Sequence, residues 1–176
     1  MKRILSFGWA VLAVAWLAGQ AGAQTTGQWT QVTGKEFDGA IVTNFYLEGN
    51  AIPVEKRNAV MLKCPSGRRM IFALLDTSGY SMDVQQKFHA LATVERKVAL
   101  GTAEVPVGAF GLGLQKPAAP SEAAAKLIVY DVAGQKVSEG LAQYDAKLAQ
   151  PMPLQVVIQK DQAPRLYFGR YFVELK

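Results

Sequence analysis

Ala59-Val60-Met61-Leu62-Lys63-Cys64-Pro65-Ser66-Gly67-Arg68-Arg69-Met70-Ile71-Phe72-Ala73-Leu74-Leu75-Asp76 is the stretch from which the rest of the chain is read. Ala59–Leu62 and Met70–Leu75 are near-continuous apolar runs, too short for ordinary helices and bounded by Pro, Ser and Gly. Such runs are expected of strands covered on both faces. Pro65 presets φ for a turn and Gly67 tolerates positive φ, so Cys64–Arg68 joins the two as a hairpin. This hairpin is the expected centre of the core.

Upstream, Met1-Lys2-Arg3 is a basic start, Ile4–Leu17 is apolar, and Ala21-Gly22-Ala23 places small residues where a signal peptidase cuts. Residues 1–23 therefore read as a secretory signal peptide, since the run is short against the roughly 20 apolar residues that span a bilayer. Removing those 23 of 176 residues leaves 153, and the loss of Lys2 and Arg3 lowers the net charge from +5 to +3. Residues 24–176 then form a single domain. A chain of this size buries about 70% of its unfolded surface and needs no disulfide or metal to hold a core. Cys64, the only cysteine, allows no intrachain bridge and reads as a buried small hydrophobe at the end of a strand. The small charge and the lack of any Lys/Arg block argue against nucleic-acid binding. With the leader gone, no stable membrane insertion is expected. The expected compartment is periplasmic or extracellular, and the expected state a monomer.

Trp29–Thr33 begins a first strand, and Trp29 reads as a core plug in preference to a ligand platform. Gly34–Gly39 reads as a turn, Ala40–Leu47 as a strand rich in β-branched and aromatic residues, and Ala51–Asn58 as a surface connection. Met82–Leu100 alternates apolar and polar residues over most of its length. Two strands with a bend near His89–Leu91 are favoured over a helix through Val84, Phe88, Leu91 and Val98. Residues 101–125, with Pro106, Pro117, Pro120 and four glycines, read as an irregular connection in which Ser121–Ala125 caps one helical turn. A second hairpin is expected from Lys126–Val132 and Gln135–Glu139 around Ala133-Gly134. Gly140–Gln150 fits strand or helix, and a last hairpin, Leu154–Gln159 with Leu166–Leu175, turns at Asp161–Pro164. Eight to ten short strands with regular turn signals make an all-β protein, an antiparallel β-sandwich or small barrel.

Candidate chemistry is sparse. Leu74-Leu75-Asp76-Thr77-Ser78-Gly79 resembles the Leu-Leu-Asp-Thr-Gly turn of retroviral-type aspartic proteases, but a serine separates Thr from Gly, and a strand ending in an Asx or Ser/Thr turn is the expected reading. His89 is the only histidine, which excludes metal sites built on two or more histidines and leaves any Ser-His-Asp set resting on it alone. Gly108, Gly111 and Gly113 have the wrong order for a phosphate-cradling loop, so loop flexibility or close backbone packing is expected there. No catalytic residue, cofactor site or metal site is singled out. The candidate partner-binding residues are Tyr167, Arg170 and Tyr171, in a strand that mixes aromatics with basic side chains.

Over residues 29–88 the early Trp29, the Asp38-Gly39 turn, the Ile41–Leu47 strand and the Leu62-Lys63-Cys64 hairpin resemble the small periplasmic proteins associated with type VI secretion, in which the cysteine likewise follows a basic residue. The family's second, C-terminal cysteine has no counterpart here. A cysteine-bearing hairpin of this kind also resembles that of membrane-bound lysozyme inhibitors. The resemblance implies an accessory role in a secretion system. The residues themselves point to an exported, non-catalytic protein that binds a protein or glycan partner in the bacterial cell envelope. The alternatives are a lysozyme-inhibitor-like protein and a secreted hydrolase using a carboxylate pair, with Asp76 as one member.

Overall fold

The computed structural model describes residues 28–118 and 123–176; the expected signal peptide and the Ser121-Glu122 cap lie outside them. The central hairpin forms as expected, from β3 (Asn50–Lys63) and β4 (Arg69–Leu75), with Leu62 opposite Met70 and Lys63 opposite Arg69. Its turn is closed by Cys64 N–H donating to Arg68 O at 3.0 Å and Gly67 N–H donating to Cys64 O at 2.8 Å. Gly67 sits at φ 77°, the left-handed region that glycine enters without steric cost.

From β4 the sheet continues antiparallel through β5 (Ala90–Val94), β8 (Gly108–Gln115), β9 (Ala125–Tyr130), β10 (Lys136–Tyr144), β13 (Tyr171–Glu174), β12 (Arg165–Phe168) and β11 (Gln155–Val157). On its other edge β3 pairs with β1 (Thr30–Val32) at one end and β2 (Asn44–Leu47) at the other. β11 returns against β3, so the sheet is a nearly closed antiparallel barrel with one seam. A two-stranded ribbon, β6 (Val98–Leu100) and β7 (Ala103–Val105), lies at the end where β5 stops and β8 starts, and is tied to the C-terminus by paired Ala99–Lys176 backbone bonds.

Alternation along the strands sorts the side chains. Phe72, Ala92, Leu112, Leu127 and Leu166 point into one interior cluster, joined by Val98, Leu100 and Val105 of the ribbon. The outer face of β4, β5 and β8 carries a second cluster in which Phe45 and Leu47 of β2 and Phe88 beyond the helix α2 (Met82–Lys87) cover Ala73, Leu75 and Leu91. Both faces of the central strands are therefore buried, as their unbroken apolar runs require.

Several local expectations are corrected. Gly34–Gly39 is mostly helix α1 (Lys35–Ala40), and Ala51–Asn58 lies within β3, its charged residues placed around an irregularity between Glu55 and Ala59. Met82–Leu100 begins as α2, because Ser81 accepts a hydrogen bond from Val84 N–H and Asp83 and Lys87 suit the two helix ends; only then do β5 and β6 follow. The expected irregular connection at 101–125 holds β7 and the central strand β8. Its glycines serve packing: a Cβ on Gly111 would lie 2.8 Å from the Phe88 ring, and one on Gly113 would lie 2.5 Å from the Lys87 carbonyl oxygen. β10 runs on to Tyr144, settling the first half of Gly140–Gln150 as strand. Leu166–Leu175 divides into β12 and β13 at Gly169-Arg170, where Gly169 has φ 65°.

Candidate functional site

At the seam, the start of β1 and the β11–β12 turn face each other across a cleft of about 420 Å³. Trp29 packs on the interior cluster from one side and lines the cleft from the other, beside Ile158, which is 38% exposed. The remaining lining is polar: Gln28 precedes the tryptophan, and Gln159, Lys160, Asp161 and Gln162 come from the turn. That turn is shaped by Asp161 at φ 59° and by Gln162 N–H donating to Gln159 O at 3.4 Å. Short polar residues such as Asp tolerate this conformation, which explains how a non-glycine sits there. No side-chain hydrogen bond or ion pair forms at these five polar residues among the described residues, and all but Trp29 are exposed at the cleft. An indole surrounded by unbonded amide, ammonium and carboxylate groups can offer an apolar stacking face and several hydrogen bonds at once.

At the opposite end, the barrel mouth holds a cup of about 260 Å³. It is floored by Leu74, Leu114, Pro153 and Phe168, with Gly169, His89 and Lys116 on its lining. His89 precedes β5 and acts as a side-chain extension of its ladder. Its backbone N–H donates to Leu112 O at 2.8 Å, and its Nδ1 accepts from Leu114 N–H at 3.2 Å. Accepting at Nδ1 places the proton of the neutral ring on Nε2. Burial of the ring, and then the charge of Lys116, hold the His89 pKa below its ordinary value. Lys116 Nζ lies 5.9 Å from the centroid of the Tyr171 ring.

The residues singled out in the sequence as partner-binding are taken up by the fold. Tyr167 is 2% exposed and its hydroxyl donates to Asp145 Oδ2 at 2.9 Å; Tyr171 is 9% exposed and meets Tyr144 edge-on at 5.3 Å. Arg170 Nη1 donates to the carbonyls of Asp145, Ala146 and Leu148 at 3.2, 3.0 and 2.9 Å, gathering that loop around the guanidinium. The turn at Gly169-Arg170 also breaks the alternation that one unbroken strand over Leu166–Leu175 would keep. Phe168 and Tyr171 go inward together, while Tyr167 and Phe172 pair outward at 5.2 Å, with Arg165 over Phe172.

Asp76 forms the expected Asx turn: Ser78 N–H and Oγ donate to its Oδ1 at 3.1 and 2.6 Å, and these bonds lower its pKa. Cys64 is free and 2% exposed, with Sγ 3.0 Å from Ser66 Oγ. No group of three or more His, Cys, Asp or Glu side chains is placed to hold a metal among the described residues. What sequence reading missed is the Trp29 cleft. Its signal was present only as an aromatic in a polar setting at the N-terminal edge, because the turn that completes it lies about 130 residues away.

The fold and the seam cleft define a small, nearly closed antiparallel β-barrel with a polar-rimmed aromatic cleft at its seam. Set against family models, curated proteins and solved structures, the chain matches none.

Proposed function

We propose that this is an exported, non-catalytic binding protein of the bacterial cell envelope, periplasmic or extracellular, and that the partner at its seam is a glycan. Of the protein and glycan partners that the sequence leaves open, the glycan is favoured by one observation. Trp29 and Ile158 face a 420 Å³ cleft whose other walls are amide and charged side chains that form no side-chain bond among the described residues. A sugar ring presents apolar C–H faces and a periphery of hydroxyls, which is the complement of that lining. The binding reading is supported by where the reactive side chains sit, since Asp76, Tyr167 and Arg170 are each bonded into turns and loops. The leader-like residues 1–23 support export, and the resemblance over 29–88 is consistent with an accessory role in secretion.

The chain contains three tryptophans, and Trp9 and Trp16 fall in the leader, so Trp29 is the only one in the processed chain Gln24–Lys176. Titration of that chain with soluble peptidoglycan fragments and with lipopolysaccharide core oligosaccharide, followed by calorimetry, tests the reading. Saturable binding that falls at least tenfold in Trp29→Ala is expected. Binding unchanged in Trp29→Ala, or no binding to either glycan class, contradicts it.

A further inference from the structure

The barrel mouth is a second site of different chemistry, and its argument does not depend on the seam. Its floor is wholly apolar, from Leu74, Leu114, Pro153 and Phe168, while its two polar side chains, His89 and Lys116, both donate. No carboxylate lines it among the described residues. Lys116 takes no part in the ion pairs formed among the described residues, and its ammonium lies over the face of Tyr171 at 5.9 Å. His89 Nδ1 is occupied by Leu114 N–H, which leaves Nε2–H as the ring's free donor. The interior beyond the cup is filled by side chains such as Phe72 and Leu112, and the far end is occupied by the β6–β7 ribbon. The cup is therefore shallow, and at about 260 Å³ it lies just below the usual range for small-molecule pockets of roughly 300–1,000 Å³.

We propose that the mouth binds a monocarboxylate with a short unbranched apolar tail, the carboxylate against Lys116 and His89 and the tail against Leu74, Leu114 and Phe168. The anion supplies the counter-charge that Lys116 lacks among the described residues, through a charge-assisted hydrogen bond that is stronger than a neutral one. The tail replaces water over an apolar floor, and each further buried CH₂ strengthens binding, so that tail length tunes affinity until the cup is full. Burial of the ring, and then the charge of Lys116, depress the proton affinity of His89, so that Lys116 is the cation of the rim.

Octanoate is the probe, with octanol and octylamine as its neutral and cationic counterparts, all below their aggregation limits. Binding is followed by calorimetry and by amide chemical shifts in the chain purified from the envelope or medium. One site is expected for octanoate, with shifts concentrated at Leu74, Leu114 and Gly169, and at least tenfold weaker binding of octanol and octylamine. Lys116→Gln, an exposed substitution that leaves the core intact, should weaken octanoate at least tenfold and leave octanol unchanged. Equal affinity for octanoate and octanol, no octanoate binding, insensitivity to Lys116→Gln, or shifts centred on Trp29 and Gln162 would each overturn the proposal.

Discussion

Cys64 shows how far single residues answer to their neighbours. Burial acts to raise its thiol pKa, but hydrogen bonding from Ser66, with Arg96 and Arg68, outweighs it and holds the group below its ordinary value. Its side chain still occupies core volume at the end of β3. Cys64→Ala should cost about 1–2 kcal/mol in urea unfolding, from lost transfer and a small cavity; an unchanged midpoint would place the side chain outside the core. His89 carries a pH prediction. Its folded pKa lies below the unfolded value of about 6.5, so the neutral ring stabilises the fold. That stability is fully present above about pH 6.5 and is lost as pH falls below it toward the depressed folded value. Between pH 7.5 and 5.5 the unfolding midpoint should therefore fall more in the native chain than in His89→Gln, and equal falls would refute this. The burial of Cys64 and the Asx turn at Asp76 were legible because both depend on residues within a few positions. The faces of Tyr167 and Tyr171 were not: a two-residue turn at Gly169-Arg170 reverses the parity that one unbroken strand would have kept.

Among elements, the central hairpin was readable because turn chemistry and apolar runs are adjacent in sequence. α2 and β8 were not, and for one shared reason. Met82–Phe88 alternates well enough to pass for strand, and the glycines of β8 look like loop until Phe88 and the Lys87 carbonyl are seen lying against them. A close approach of this kind is a tertiary demand with no local signature. It makes Gly113 a sensitive position: Gly113→Ala sets a Cβ at 2.5 Å from a backbone oxygen, which cannot swing away as a side-chain tip can. That substitution should destabilise by about 1–3 kcal/mol, as overpacking does. Gly39→Ala, where an added Cβ meets nothing within 4 Å, is the control and should be close to neutral or mildly stabilising. Equal thermal midpoints for the two variants would show that α2 does not sit on β8 in solution.

For the whole molecule, the all-β antiparallel architecture follows from strand spacing and the lack of a sustained helix, whereas near-closure does not. Nothing local in β3 or β11 announces that β11, the last strand in the sheet order, returns against β3, since the pairing order is fixed by contacts far apart in the chain. The seam is where that return leaves a cleft, and it places Trp29 against both the core and the polar turn 159–162. The central claim, that this seam holds a glycan, is tested most directly by the fluorescence of Trp29 in a chain running from Gln24 to Lys176, where it is the single tryptophan, titrated with soluble peptidoglycan fragments and lipopolysaccharide core oligosaccharide. A saturable change in emission with one of them, at the concentrations where calorimetry registers binding, is the predicted result. Emission that stays constant while calorimetry registers saturation, or the absence of any binding, would contradict it.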